Sequence, residues 1–226
     1  MKHLTTQAIV LNRTNFGESG RIITFLTPEQ GKLRVMARGV RKVKSKLAGG
    51  IELFSVSDIS YLIGRGEIYT LTSSRLIKHF GDIVKDSDRT QAAYDFIKQI
   101  DKNTDDNPEP AYFELLADAF EGLDDHAINL DLICVWFGAQ LIKLAGHTPN
   151  LRTDSAGQPL DQVKKYSFDY QAMCFKPGRT FDANAIKFLR LCFAVSPKQL
   201  KNIRSGESYV KPSLNLVQAL TKKMTQ

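Results

Sequence analysis

The spacing of apolar residues changes along the chain, and the change separates two kinds of structure. Up to about residue 75, apolar and polar side chains alternate in short runs rich in β-branched and aromatic residues, with turn formers between the runs. Because successive side chains of a strand point to opposite faces, this alternation is typical of half-buried strands. The predicted strands span residues 5–12, 21–26, 31–38, 51–63 and 67–73.

Five short strands in this first part predict a small closed sheet, since closure removes the unpaired edges that such a sheet would otherwise expose. An oligonucleotide-binding (OB-fold) barrel over residues 1–78 is the most economical arrangement. An SH3-like barrel is the alternative that the pattern leaves open.

Beyond residue 75 the apolar residues recur with a helical period. Helices are predicted over residues 83–100, around 113–120 and over 127–145. Residues 147–180 are rich in turn formers around one strand-like run at 165–168, which indicates a β-like insert. Helices are expected again at 182–194, after Ser196-Pro197, and from Pro212 to Met224. The pattern thus predicts an α+β protein: the barrel, then an all-helical domain over 79–226 that contains the insert.

Charge is segregated along the chain, whose formal net charge is +7. Residues 1–80 hold 13 Lys/Arg and 5 Asp/Glu, residues 81–147 hold 5 and 14, and residues 148–226 hold 13 and 5. The three blocks therefore carry net charges of +8, −9 and +8. Two basic regions around an acidic one suit a protein whose ends meet an anion. Acidic helices that merely fill out a surface are the plainer explanation.

Residues 31–50 form the most informative stretch, because they carry seven cations and no acid. Leu33, Val35 and Ala37 fall on one side of the predicted third strand, so a cationic side faces away. Nucleic acid is the commonest polyanion that such a surface meets. A solvated edge strand whose lysines discourage aggregation is the alternative.

Motifs of enzymatic chemistry are missing from the sequence. It contains no G-x-x-x-x-G-K-[ST] loop and no G-x-S-x-G elbow. The four histidines lie in unrelated segments, and the spacing of Cys134, Cys174 and Cys192 indicates neither a disulfide framework nor a zinc site. The N-terminus lacks signal-peptide features, and polar residues interrupt the most hydrophobic segment, 128–144. We expect a cytoplasmic protein that is not an enzyme, has no cofactor and does not enter a membrane.

The order of barrel, acidic helices, turn-rich insert and basic helices resembles that of a known family. Matching residues are concentrated at the N-terminus: 8–11, 15–19, 21–22, 26–28, 31–32, 37–41, 44–47 and Phe54. The segment KLAGHTP at 143–149 is similar to the family's leucine-rich helix and its glycine–aromatic–x–proline exit. On these residues the chain resembles the bacterial recombination mediator RecO, specifically over 8–62 and more loosely over 127–160.

The resemblance implies a non-enzymatic protein of recombinational DNA repair, associated with the nucleoid. Such proteins bind single- and double-stranded DNA, anneal complementary strands and, with RecR, help to load RecA onto DNA coated by single-stranded-DNA-binding protein. The implied partners are DNA, RecR, the C-terminal tail of single-stranded-DNA-binding protein, RecF and RecA. An RNA-binding OB-fold protein of translation or RNA processing is the alternative, because basic charge does not distinguish DNA from RNA.

The resemblance also directs attention to two sets of cations. Candidate DNA contacts are Arg34, Arg38, Arg41, Lys42, Lys44 and Lys46, with Arg21 and Lys32 ranked second. A second basic surface, for the other strand or for the acidic-hydrophobic tail of the partner, comprises Lys187, Arg190, Lys198, Lys201 and Arg204. An ordinary solvated helix face is the alternative for this second set. Tyr61 and Tyr69 are candidates for base stacking, with core packing as the alternative.

The chain departs from the family in the insert, where many relatives bind zinc through two C-x-x-C pairs. Here the first pair would fall at Thr153 and Ala156 and the second at Cys174 and Pro177, so one ligand of four remains. Because a structural zinc site needs four protein ligands, we expect a degenerate zinc-finger region without metal. Packing of Tyr166, Phe168 and Tyr170 is predicted to hold it together.

Overall fold

A closed five-stranded barrel forms the N-terminal part of the protein. The computed structural model describes residues 2–64, 66–104, 110–200, 202 and 206–224. Around the barrel the strands follow the order β1-β2-β3-β5-β4, in which β3 and β5 are parallel and all other neighbours antiparallel. This topology confirms the predicted OB-fold barrel. Its strands are β1 (Lys2–Phe16), β2 (Gly20–Thr27), β3 (Gly31–Ala37), β4 (Ser55–Ile63) and β5 (Tyr69–His79).

Alternation along the strands fills the barrel as the sequence predicts. On β3, Leu33, Val35 and Ala37 are buried in the core while Arg34 is exposed. The strand predicted over 51–63 begins only at Ser55, whereas β1 extends to Phe16 and β5 continues to His79, beyond their predicted ends. Hydrogen bonding between neighbouring strands carries them through polar positions that have no apolar signal.

Two helices pack onto the barrel within the same compact unit, Met1–Asp124. They are α1 (Ser87–Asn103), capped by the carboxylate of Asp86, and α2 (Pro110–Asp124), whose first residue is a proline. Phe54 lies edge-on to Tyr94 of α1 and Phe120 of α2, with ring centroids 5.1 and 5.6 Å away. The predicted division at residues 78 and 79 marks the change from strands to helices, whereas the compact unit continues to Asp124. The domain boundary itself stays a prediction.

The second unit, Asp125–Gln226, is built around a central helix. Its helices are α3 (Leu130–Leu144), α4 (Ala183–Cys192), α5 (Pro197–Leu200) and α6 (Glu207–Met224). A Cβ at Gly138 of α3 would lie 2.1 Å from Val217 of α6, so glycine permits the close approach of these helices. The prediction that Pro212 opens the last helix is wrong, because α6 begins at Glu207 and Pro212 lies inside it.

The insert holds three strands where the sequence indicated one. They are β6 (Asn150–Asp154), β7 (Tyr166–Asp169) and β8 (Cys174–Pro177), paired in the order β6-β8-β7. The single-strand prediction is wrong because β6 and β8 are too short to show a period. Phe175 is fully buried and lies edge-on to three other aromatic rings, those of Tyr166, Phe168 and Phe181.

The four positions that would carry zinc ligands lie on or beside two paired strands of the insert. Thr153 belongs to β6, Ala156 follows it, and Cys174 and Pro177 are the ends of β8. Among the residues that the structure describes, no group of three or more His, Cys, Asp or Glu could hold a metal ion. The absence of metal stays a prediction. Across the same residues, no helix has both the length and the apolar character needed to cross a bilayer.

Candidate nucleic-acid interface

A basic loop, residues 38–47, follows β3 and is anchored to the barrel at two apolar residues. Val40 is buried in the barrel core and Leu47 packs against the same cluster. Ser74 of β5 donates a hydrogen bond from Oγ to the carbonyl of Leu47 at 2.9 Å. The backbone N–H of Arg41 donates to the carbonyl of Ser19 in the β1–β2 turn at 3.0 Å. These contacts fix the path of the loop and leave the side chains between them to solvent.

Five cations of the basic loop are exposed and lie within nine consecutive residues: Arg38, Arg41, Lys42, Lys44 and Lys46. Within the described part of the chain none of them forms an ion pair, and only Arg41 makes a side-chain hydrogen bond, 3.4 Å to the carbonyl of Gly17. An exposed cation without a carboxylate partner leaves its charge available to an anion.

Other cations of the barrel unit do have acidic partners. Arg13 pairs with Glu52 at 3.2 Å, Arg75 with Asp58 at 2.6 Å and Lys78 with Glu121 at 3.0 Å. The two groups of basic residues therefore differ: these three balance nearby carboxylates, whereas the cations of the basic loop have no acidic partner among the described residues. The sequence alone could not make this separation, because the acids that pair with Arg75 and Lys78 are distant along the chain.

The remaining candidates of the first set occupy different environments. Arg34 is exposed on the outer face of β3 opposite Thr24 and has no ion pair among the described residues. Arg21 is half-buried and donates from Nε to the side-chain oxygen of Asn15 at 3.1 Å. Lys32 is occupied: its ammonium lies 3.0 Å from the carboxylate of Asp101 on α1 and also donates to the Asp101 carbonyl. The charge of Lys32 is therefore balanced by an acidic partner, whereas the exposed guanidinium of Arg34 has no ion pair among the described residues.

Of the two tyrosines considered for stacking, Tyr61 lies in the core. Only 1% of its surface is exposed, and its ring stacks on that of Tyr69 at 5.7 Å. Burial, reinforced by the charges of Tyr69 and Glu29, raises the pKa of the Tyr61 hydroxyl. A buried ring cannot receive a base, so Tyr61 belongs to the core alternative. Phe16, at the other end of β1 from the strand partner of Tyr61, is an exposed aromatic residue that the sequence did not indicate for stacking.

The second set of candidates is only partly brought together. Lys187 and Lys198 are exposed on α4 and α5, while Lys201 and Arg204 lie outside the described residues. Arg190 of α4 donates from Nε to the carbonyl of Leu151 at 2.8 Å. Of the described members, it alone lines a groove in the second unit.

That groove has a volume of about 730 Å³ and combines apolar walls with two guanidinium groups. Arg152 is the second of these, and no sequence signal pointed to it, because a lone arginine in a turn-rich segment is unremarkable. The lining is Thr148, Pro149, Asn150, Leu151, Arg152, Pro159, Leu160, Arg190 and Phe193. An apolar pocket with cations at its edge suits a ligand that is both hydrophobic and acidic.

Comparison with protein families gives two matches that together span most of the chain. Residues 1–80 match the family described as Recombination protein O N terminal, and residues 90–222 match Recombination protein O C terminal.

Individual relatives bear the name DNA repair protein RecO. One from Dehalococcoides mccartyi is 34% identical over 65% of this chain, and one from Desulfatibacillum aliphaticivorans is 31% identical over 67%. The chain spans 58% and 60% of the lengths of these two proteins. A relative from Bifidobacterium adolescentis is 29% identical, with 82% of this chain and 78% of the relative covered.

Proposed function

The chain belongs to the recombination protein O (RecO) family, and on that premise we propose that it is a non-enzymatic DNA-binding protein of recombinational repair. In this role it binds single- and double-stranded DNA and anneals complementary strands. With RecR it helps to load RecA onto DNA coated by single-stranded-DNA-binding protein, and RecF belongs to the same set of partners. The name of the relatives, DNA repair protein RecO, supports the assignment.

The observation that carries the proposal is the exposed, unpaired charge of the basic loop. Its five cations belong to a segment fixed at Val40 and Leu47, so the backbone that carries them is ordered before DNA arrives. If all five contact a single strand, log K should fall against log salt with a slope of about −3.5. Lysine and arginine contacts of this kind neutralise phosphates without reading sequence.

Annealing follows from the same electrostatics. Two sugar–phosphate strands repel each other, and a protein that neutralises part of both backbones lowers the free-energy cost of bringing complementary bases together. Base pairing then supplies the specificity. No bond is made or broken, so the role requires no catalytic residue.

A strand-annealing assay tests the proposal. Complementary DNA strands, one labelled with a donor dye and one with an acceptor, should pair several-fold faster with the protein in the absence of nucleotide and metal. The triple variant Arg38, Arg41 and Lys42→Ala should lose most of the acceleration. A matched triple, Lys85, Lys98 and Lys102→Ala, removes the same charge from the acidic part of the chain and should retain it. No acceleration by the wild-type protein would reject the proposal.

A competition experiment distinguishes DNA binding from the RNA-binding alternative. We expect DNA to displace labelled DNA from the protein at least as well as RNA of the same sequence does. Preferential displacement by RNA, together with no annealing, would favour the RNA-processing role.

The groove in the second unit is the place where we expect the C-terminal tail of single-stranded-DNA-binding protein to bind. Leu151 and Phe193 offer apolar contacts, while Arg152 and Arg190 offer charge to acidic residues. A fluorescent acidic-hydrophobic peptide should bind with reduced affinity to Arg152→Glu and Arg190→Glu. Lys187→Glu is the matched control, because Lys187 lies on the same helix as Arg190 but does not line the groove. Equal loss in all three variants would mean that net charge, not the groove, attracts the peptide.

A further inference from the structure

Phe16 is an exposed aromatic residue at the end of β1, beside the basic loop. Its exposed fraction is 56%, although a phenylalanine ring gains free energy from burial. Within the described residues it has no aromatic ring contact. Phe16 is not part of the core cluster of the barrel.

The backbone that carries Phe16 is held rigidly. Phe16 pairs with Gly20 across the β1–β2 turn, and Gly17 has a φ of +58°, a conformation that favours glycine. A Cβ at Gly20 would lie 2.9 Å from the carbonyl oxygen of Phe16, so a larger residue would disturb the turn. The Arg41 guanidinium also donates to the Gly17 carbonyl. The ring therefore projects from a defined position.

The register places other apolar groups on the same outer face. Ile22 pairs with Thr14 on one side and Met36 on the other, and both Ile22 and Met36 alternate with core residues of their strands. A Cβ at Gly20 would be 3.6 Å from the sulfur of Met36, so this thioether lies over the glycine that pairs with Phe16. Arg34, two residues before Met36 on β3, faces the same way.

We propose that Phe16 stacks on an unpaired nucleobase and so gives the basic loop a preference for single strands. An exposed ring next to exposed cations is the arrangement with which proteins hold single strands: the cations follow the phosphates and the ring receives a base. A duplex offers no free base face, because neighbouring pairs cover it. Glu18, exposed in the same turn, repels a phosphate at this tip. The inference rests on the proposed DNA binding.

Two variants and one modified oligonucleotide test the inference. Phe16→Ala should raise the Kd for an oligo-dT strand roughly 5- to 140-fold, the range that corresponds to loss of one stacked base. The Kd for duplex DNA should be unchanged. With an abasic strand of the same length and charge, wild-type protein and Phe16→Ala should bind equally. Leu76→Ala is the matched control, since it removes an exposed apolar side chain from β5 of the same barrel.

Fluorescence gives an independent readout. The chain has one tryptophan, Trp136, which is buried in the second unit. A Phe16→Trp variant should therefore add a signal that oligo-dT quenches and the abasic strand does not. If wild-type protein binds DNA but Phe16→Ala binds oligo-dT equally well, or the added tryptophan is not quenched, the stacking role is rejected. If wild-type protein binds no DNA, the proposed function fails first.

Discussion

The backbone N–H of Arg41 donates a hydrogen bond to the carbonyl oxygen of Ser19, 3.0 Å away. This bond ties the basic loop to the β1–β2 turn, and the burial of the preceding residue, Val40, fixes the chain on its other side. Because the backbone is ordered on folding, little conformational entropy remains to be lost when an anion binds. The loop thus presents its cations from a prepared position.

Gly50, at the end of the segment that follows the basic loop, should tolerate no side chain. A Cβ there would lie 2.5 Å from Cβ of Ser74 and 2.7 Å from its backbone carbon, so β5 itself would have to shift. We expect Gly50→Ala to lower the free energy of unfolding by about 1–3 kcal/mol, measured by urea denaturation.

The neighbouring Gly49 provides the control for this substitution, because nothing lies within 4 Å of a Cβ built there. Gly49→Ala should change the unfolding free energy by no more than about 0.5 kcal/mol. Equal effects of the two variants would show that the close approach to Ser74 does not constrain the segment.

Lys32 and Arg34 should differ in their contribution to DNA binding although they lie two residues apart on β3. The Lys32 ammonium is already paired with Asp101, whereas Arg34 is open. Arg34→Ala should flatten the salt dependence of single-strand binding by about 0.7 in slope. Lys32→Ala should leave that slope nearly unchanged and lower stability by at most about 1 kcal/mol, since the pair is partly exposed. A slope reduced equally by both substitutions would contradict this ranking.

The folded structure of the insert should depend on Phe175. Phe175→Ala removes a buried ring that touches three others, and we expect a loss of about 3–5 kcal/mol, seen as rapid proteolysis within residues 150–177. Tyr170→Ala is the control, because Tyr170 is exposed and contacts Phe168 alone among the described aromatic rings.

Added zinc should not raise the Tm of either variant or of wild type. Stoichiometric zinc in purified protein would contradict the metal-free insert.

Cys192 should be unreactive in the folded protein. Burial raises the pKa of its thiol from 9.0 to about 12, so almost no thiolate forms at pH 8. Iodoacetamide should label Cys192 only after denaturation, as judged by peptide mass spectrometry, while the half-buried Cys134 labels earlier. Between pH 9 and about 12 the unfolded chain releases this proton and the folded protein does not, so stability should fall with rising pH. Labelling of Cys192 at the same rate as Cys134 would show that the site opens readily.

Much of the barrel could be predicted because its physical signal is local. Leu33, Val35 and Ala37 alternate with polar residues, and burial of one face follows directly from that pattern. The insert was less predictable, because its core residues Phe175 and Phe181 belong to short segments whose packing depends on distant partners.

The candidate interface was also only partly predictable, because it depends on residues that are distant in the sequence. Sequence identified the basic run but could not rank its members, since the pairing of Lys32 with Asp101 joins residues far apart in the chain. Exposure of Phe16 was also beyond the sequence, because an aromatic residue in a β-rich segment is more often buried. Tertiary structure supplied both distinctions.

The salt dependence of single-strand binding measures phosphate contacts by the basic loop most directly. Wild-type protein and the Arg38, Arg41 and Lys42→Ala variant are titrated with a fluorescent oligo-dT at several salt concentrations. The variant should bind with a slope of log K against log salt that is smaller by about 2, which corresponds to three lost contacts. The matched Lys85, Lys98 and Lys102→Ala variant should keep the wild-type slope. An unchanged slope in the loop variant would show that these residues do not contact the DNA backbone.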